Sequence, residues 1–267
     1  NTALGDGSLL VLTSGTENVA VGKGALAANT TGSYNHAFGR NAGAAITTGD
    51  TNIAIGNAAL GTATTADGNT AVGHSALSAN TSGSSNVGVG LNVLDANTTG
   101  ANNTAVGAAS LGANTTGASN TAMGHNSLGN NTTASNNAAF GVNTLNVNTT
   151  GAQNTAMGAG ALLRNTTASN NTAVGYNSLD HATTGANNTA TGMNSLTANT
   201  TGGSNTAVGG SALGANTTAS NNVAVGNDAL AANTTGAYNT AVGASAGDAL
   251  TTGPYNTAFG YLALSTE

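Results

Sequence analysis

The side chains that most often bind metals or transfer protons are few in this chain and lie far apart in its sequence. The 267 residues include four histidines (His36, His74, His125 and His181), no Cys, nine Asp and Glu residues and three Lys and Arg residues. Metal sites need several imidazole, thiolate or carboxylate groups at one point. No Ser has the spacing of a nucleophile elbow or a catalytic triad. We therefore expect no catalytic, cofactor-binding or metal-binding residues and no enzymatic activity.

Charge is also scarce, which excludes two classes of partner. Charged residues make up 4% of the chain, against about 25% in a typical soluble domain. Nucleic-acid binding needs clustered basic side chains, and Lys23, Arg40 and Arg164 are the whole basic complement. No apolar run approaches the ~18 residues of a membrane-spanning helix. The sequence predicts no nucleic-acid partner and no membrane insertion by this segment, and its start at Asn1 rather than Met favours a piece of a longer protein.

The feature that must position every side chain is a repeat of 17 residues without insertion or deletion. Such fixed periods are typical of repeat architectures. We number each unit from its first Asn and call residues that share a number a column. The single array covers residues 1–267, and its units begin at residues 1, 18, 35, 52, 69, 86, 103, 120, 137, 154, 171, 188, 205, 222, 239 and 256.

The columns differ sharply in how much they vary. Column 5 is always Gly, column 3 is Ala except at Gly88, and column 9 is Leu except at Gly43 and Gly247. Columns 13 and 14 read Thr-Thr or Thr-Ser. Charged residues before Glu267 occur only in columns 6, 7, 10, 11, 16 and 17, so these columns should face water. The pattern predicts an all-β solenoid, or β-roll, in which each unit forms one of 16 coils and each column stacks on itself.

The unit also predicts local structure within a coil. A 17-residue unit is too short for a pair of helices, but it suits two short strands, in columns 1–4 and 8–10. Gly in column 5 and Asn-Thr-Thr-Gly in columns 12–15 suit tight corners. Sixteen coils at roughly 4.8 Å give a rod about 75 Å long. His74 and His125 share column 6 but would lie about 14 Å apart at this spacing, too far for one metal ion.

Strand alternation predicts which columns face the interior. Column 4 is apolar except at Thr191, so we expect it to face the core and column 3 to face outwards. A nearly invariant Ala on an outer surface indicates a close neighbour. We therefore predict a parallel homo-oligomer, with a trimer as the favoured form.

Column 12 contains a second signal about the core. It is Asn in ten units, but Ile46 and Leu250 occupy it in the two units where column 9 is Gly43 or Gly247. The paired change predicts that columns 9 and 12 share one core, and that the Asn side chains are buried and stacked. The same Asn residues, from Asn29 to Asn233, match the N-glycosylation acceptor pattern ten times, which leaves glycosylation open if the source glycosylates its surface proteins.

The unit Asn-Thr-Ala-Val-Gly-x-x-Ala-Leu-x-x-Asn-Thr-Thr-Gly resembles the head repeats of YadA-like trimeric autotransporter adhesins. It is similar as well to repeats of phage tail-fibre-like and bacterial surface proteins. The resemblance covers essentially the whole chain. It implies a trimeric parallel β-roll in an extracellular fibre, on a cell surface or a virion, that serves attachment. The 17-residue unit is longer than the shorter adhesin repeat, and no stalk, anchor or chaperone domain occurs in this segment.

Two other functions remain as alternatives to a structural fibre segment. A regular solenoid face can bind a surface or glycan directly, through a receptor that the sequence does not identify. Thr in columns 2, 13 and 14 also makes ice binding conceivable, although column 2 is interrupted by Val19, His36, Ile53 and other residues. Association of rods end to end into a filament is compatible with the open edges of a solenoid.

Overall fold

The computed structural model describes residues 1–265 and shows a parallel β-solenoid with one repeat unit per coil and no helix in that range. The chain divides into two compact units, residues 1–135 and residues 136–267. The first unit contains β1 (Thr2–Leu4), β2 (Val19–Val21), β3 (His36–Phe38), β4 (Ile53–Ile55), β5 (Thr70–Val72), β6 (Val87–Val89), β7 (Thr104–Val106) and β8 (Thr121–Met123). The second contains β9 (Ala138–Phe140), β10 (Thr155–Met157), β11 (Thr172–Val174), β12 (Thr189–Thr191), β13 (Thr206–Val208), β14 (Val223–Val225), β15 (Thr240–Val242) and β16 (Thr257–Phe259).

Each strand occupies columns 2–4, close to the range predicted for the first strand. Within each unit a strand pairs in parallel with the next one, so that residues of the same column are partners, as in Thr104↔Thr121. Hydrogen bonds continue beyond both ends of the strands. Thr2 N–H donates to Asn18 O at 2.8 Å, and Gly22 N–H donates to Leu4 O at 2.7 Å. Because the repeat has no insertion or deletion, residues of the same column stay paired from coil to coil within each unit.

The predicted strand in columns 8–10 is wrong, because columns 6–11 form turns. Leu26, in column 9, has a φ of 49°, and the preceding Gly24, in column 7, has a φ of 68°. Residues in this left-handed region interrupt an extended chain, and the turns are closed by local bonds such as Asn29 N–H to Leu26 O at 3.1 Å. Coils still bond to each other here, since Leu26 N–H donates to Ala42 O at 3.0 Å.

The predicted orientation of the strand is also wrong. Ala105 and the other column-3 alanines from Ala20 to Ala258 are buried, whereas the flanking columns 2 and 4 are half-buried or exposed. The coil is narrow, and its interior opposite column 3 is already filled by Leu from column 9 and by the small residue of column 8. At Gly88, an added Cβ would lie 3.2 Å from Val93 Cγ1 and 3.5 Å from Leu77 Cδ1. Space therefore limits column 3 to small residues, and the larger apolar residues of column 4 face outwards.

The prediction that columns 9 and 12 share one core is confirmed. Leu26, Leu60 and eleven further large side chains of these columns have less than 2% of their surface exposed. In the coils with exchanged residues, a Cβ on Gly43 would lie 3.0 Å from Ile46 Cδ1, and a Cβ on Gly247 would lie 3.1 Å from Leu250 Cδ1. The apolar group has thus moved across the core from column 9 to column 12.

The stacking of buried Asn side chains in column 12 is confirmed as well. Asn97 Nδ2 donates to Asn80 Oδ1 of the preceding coil at 2.9 Å and to Gly100 O of its own coil at 3.0 Å. A second ladder, which the sequence analysis did not predict, runs through the opening Asn of each unit. There Asn35 N–H donates to Asn18 Oδ1 at 2.9 Å. Because buried amides are costly unless they are hydrogen-bonded, these ladders explain why Asn recurs inside the coil.

Candidate interaction surface

The outer face of each sheet is the most regular surface of either unit. We call the side chains of columns 2 and 4 on β1–β16 the strand face. Parallel strands are about 4.8 Å apart, and two residues along a strand span about 6.6 Å, so within each unit the strand face repeats at these distances. Column 2 is Thr in ten coils, and column 4 is apolar in all coils except the one that contains Thr191.

The strand face is apolar and almost without charge. Val106 and Val208 in column 4 are each 37% exposed, and Phe38 and Ile55 are 41% exposed. Column 2 adds the hydroxyl and methyl groups of its Thr residues, and His36 in this column is the one titratable side chain of the strand face. Continuous exposed apolar surface of this kind marks interaction sites in soluble proteins. Its chemistry suits packing against another regular surface rather than catalysis.

Two of the twelve charged residues, Arg164 and Asp180, meet His181 in the second unit. Asp180 Oδ2 lies 4.0 Å from Arg164 Nη1 and 3.5 Å from His181 Nδ1, and the Arg164 guanidinium contacts His181 Nε2. His181 Nδ1 is also 2.9 Å from Thr197 O. We interpret the cluster as an ion pair that holds two neighbouring coils together.

The remaining histidines do not meet one another in the described residues. His36 belongs to the strand face, and His74 and His125 are exposed in column 6, where His74 Nδ1 lies 3.0 Å from Ser75 Oγ. Among residues 1–265, no three His, Cys, Asp or Glu side chains are placed to hold a metal ion. Burial raises the pKa of the Asp95 carboxyl above its usual value, although hydrogen bonds from the backbone N–H groups of Asp95 and Ala96 act in the opposite direction.

The ten column-12 acceptor motifs for N-glycosylation are inaccessible in the folded chain. All ten Asn side chains are fully buried, and they are Asn29, Asn80, Asn97, Asn114, Asn131, Asn148, Asn165, Asn199, Asn216 and Asn233. Their amide groups donate within the coil, as Asn114 Nδ2 does to Asn97 Oδ1 at 2.9 Å. A glycosyltransferase needs a free amide nitrogen, so the fold protects these residues once it has formed.

One surface depression of about 590 Å³ lies in the first unit, beside coils 3–5. It is wide open and occurs where columns 10 and 11 carry small residues, among them Ala44, Gly61 and Ala79. No charged or aromatic side chain lines it. It therefore offers a ligand neither enclosure nor a strong polar anchor.

No protein-family model, curated protein or solved structure matches the chain. Within residues 1–265, no helix has the length and apolar character to cross a membrane.

Proposed function

We propose that this chain is a structural segment of an extracellular fibre that serves attachment, and that it works as a parallel homotrimer packed through its strand face. The observation that carries the proposal is the outward direction of column 4, which exposes an apolar side chain in nearly every coil. The resemblance to adhesin and tail-fibre repeats supports the extracellular setting and the trimer.

The period of the strand face favours another copy of the same chain as its partner. A copy in parallel register repeats every 17 residues as well, so each exposed apolar side chain meets its equivalents in the same coil. The strand face has almost no charge with which to select a partner of opposite charge. Burying an exposed apolar side chain stabilises an assembly by about 25 cal/mol for each Å² removed from water. Summed over many coils, this small gain per side chain supports a stable assembly.

The native mass of the particle in solution tests the proposal. We expect light scattering after gel filtration to give three times the chain mass of 25.2 kDa. Replacing Val89→Asp and Val106→Asp together introduces two charges into the strand face of coils 6 and 7, and should produce monomers. The matched control is Thr99→Asp with Thr116→Asp, in exposed column 14 of the same coils, and it should leave the trimer intact. A wild-type monomer that keeps its β-sheet circular dichroism would overturn the proposal.

A second candidate function is direct binding of ice or a glycan surface by the strand face. It is favoured by the run of outward-facing Thr155, Thr172, Thr189 and Thr206 in four consecutive coils. If the wild-type chain is a monomer, this candidate takes the place of the trimer. Thermal hysteresis that Thr172→Tyr with Thr189→Tyr abolishes would then establish ice binding, and a glycan array would test the other surface.

A further inference from the structure

A polar surface of the second unit is formed by columns 14 and 17. We call the side chains of these two columns in coils 9–15 the corner face, and all of them are exposed. The two columns are three residues apart, so their Cα atoms lie at most about 11 Å from each other in each coil. Column 14 contributes Thr150, Thr167, Thr184, Thr201, Thr218, Thr235 and Thr252, and column 17 contributes Gln153, Asn170, Asn187, Ser204, Asn221, Tyr238 and Tyr255.

The hydroxyl groups of column 14 are not used by the fold. In the neighbouring column 13, Thr166 Oγ1 donates to Thr183 O of the next coil at 3.0 Å, so that hydroxyl supports the ladder. The hydroxyl groups of column 14 make no hydrogen bond to any described residue. The two exceptions to Thr in this column, Ser14 and Ser82, lose the methyl group and retain the hydroxyl. Column 14 therefore keeps on the surface a hydroxyl that the coil itself does not need.

Backbone donors in column 16, between the two columns, are also left open. Gly203 N–H donates to Ser220 Oγ of the next coil at 3.0 Å. The half-buried N–H groups of Ala186 and Ala237 find no such acceptor among the described residues, because the next coil has Gly203 or Pro254 in column 16. A hydroxyl from a ligand fits where the Ser hydroxyl is missing.

Column 17 places an aromatic pair beside these polar groups. The ring centroids of Tyr238 and Tyr255 are 5.2 Å apart, and their planes differ by 9°. The two residues are 53% and 76% exposed. Their backbone is fixed by the neighbouring coil, since Tyr255 N–H donates to Ala237 O at 3.1 Å. A surface that is ordered in advance loses little conformational entropy when it binds.

We propose that the corner face binds an uncharged polysaccharide that lies across successive coils of this unit. Sugar hydroxyls both donate and accept hydrogen bonds, as do the side chains of Thr, Asn and Gln. The apolar side of a sugar ring packs against Tyr, which offers a large contact area at a small entropic cost.

The corner face suits this partner better than two others. Columns 12–17 of coils 9–15 contain no Asp, Glu, Lys, Arg or His, so a charged polymer finds no complementary charge there. An ice surface needs an uninterrupted pattern of small groups, and the rings of Tyr238 and Tyr255 interrupt it. The proposal does not depend on the trimer, because no residue of the corner face belongs to the strand face.

Binding of the wild-type protein to a panel of soluble polysaccharides tests the proposal. The uncharged probes are dextran, mannan, laminarin and glycol chitin, and the acidic probes are heparin and polygalacturonate. In native gels that contain each probe, we expect at least one uncharged probe to retard the protein and neither acidic probe to do so. Absence of retardation by every uncharged probe, or retardation by the acidic probes alone, overturns the proposal.

Aromatic variants test the role of the Tyr pair. Tyr238→Ala with Tyr255→Ala should weaken binding to the retarding probe roughly tenfold, as for aromatic anchors of other interfaces. The matched control is Tyr176→Ala, which removes an exposed Tyr from column 6 of the same unit and should leave binding unchanged. An equal effect of the control would place the polysaccharide elsewhere and contradict the proposal.

Hydroxyl variants distinguish the corner face from the strand face. Thr184→Val with Thr201→Val removes two hydroxyls with little change of shape and should weaken binding about threefold to tenfold. Thr172→Val with Thr189→Val makes the same change on the strand face of the same two coils and should have no effect. Equal losses overturn the proposal, as does thermal hysteresis of a wild-type protein that binds no polysaccharide. The native mass and circular dichroism of each variant show whether trimer and fold are retained, which separates this test from that of the trimer.

Discussion

At the scale of single residues, the fold depends on neutral amides that are buried without charge. In an uninterrupted run of column 12, an Asn both donates to and accepts from its neighbours: Asn114 Nδ2 donates to Asn97 Oδ1, and Asn114 Oδ1 accepts from Asn131 Nδ2, both at 2.9 Å. Asn suits this role because one side chain carries both an acceptor oxygen and a donor nitrogen. An ionised Asp has the same shape but only acceptors, so it cannot continue the ladder.

Replacing Asn114→Asp and Asn131→Asp together should therefore destabilise the solenoid strongly at neutral pH. Both carboxylates would be buried in adjacent coils without a compensating charge, and an uncompensated buried charge costs about 3–5 kcal/mol. Thermal unfolding followed by circular dichroism measures the effect. Below about pH 4 the new carboxyls become protonated and can donate again, so part of the loss should be recovered.

The control for this pair is Asn170→Asp with Asn187→Asp. These residues also share one column in adjacent coils, but both are exposed, so water screens the two charges. We expect their Tm to stay within a few degrees of the wild type. If the buried pair behaves like the exposed pair, the Asn ladder does not carry the stability assigned to it.

At the scale of the structural element, the sequence predicts the coil well and its strand orientation poorly. The shared core of columns 9 and 12 could be predicted because Gly43 and Ile46 change together. The orientation could not be predicted from hydrophobicity, since the larger apolar residues of column 4 face outwards. The useful signal was steric: Gly88 is the exception in column 3 of the coil where column 8 contains Val93, and the two side chains compete for one space.

The turns in columns 6–11 could not be predicted for a different reason. Leu is a poor residue for a left-handed backbone, yet Leu111 has a φ of 51° and Leu128 has the same value. Burial of the Leu side chain in a narrow coil outweighs this local preference. The strand face, which is the candidate interaction surface, could be assigned only after the orientation of the strand was known.

The exchange in coil 3 gives a quantitative prediction for one element. Gly43→Leu alone should destabilise the fold by about 1–3 kcal/mol through overpacking, because a Cβ there lies 2.9 Å from Leu26 Cδ2 and 3.0 Å from Ile46 Cδ1. Adding Ile46→Asn restores the common pattern of columns 9 and 12. We expect the pair to recover at least about 1 kcal/mol relative to the sum of the single changes, as for residues in contact.

A double-mutant cycle measured by denaturant unfolding tests this coupling. The control cycle combines Gly43→Leu with Ile53→Asn, a change on the exposed strand face of the next coil, and should be additive. Equal coupling in the two cycles would mean that Ile46 does not fill the space left by Gly43.

At the scale of the whole molecule, the fold is stabilised almost entirely by interactions that do not titrate. The core consists of Leu and Ala side chains and of amide ladders. Two Lys or Arg ion pairs occur among the described residues: the Asp6–Lys23 pair is exposed, where such pairs contribute little to stability, and the Arg164–Asp180 pair is the one with a buried carboxylate. Acid denaturation of ordinary proteins arises largely from protonating carboxylates that are paired in the native state. Few of the described carboxylates are paired with a positive charge, so protonating them should cost the fold little stability.

We therefore expect the protein to keep its fold in acid. At about pH 3, the three Lys and Arg and four His side chains give a formal charge of only +7, which is small for a chain of this length.

Burial raises the pKa of Asp95, so the folded state binds that proton more tightly than the unfolded state. The stabilisation from protonated Asp95 is present in acid and is lost as the pH rises through this raised pKa. The Tm at about pH 3 should accordingly equal or exceed the Tm at pH 7, and Asp95→Asn should remove the part of the difference that is due to Asp95. A cooperative loss of the β-sheet signal between pH 5 and pH 3 would show that paired carboxylates matter more than the neutral core.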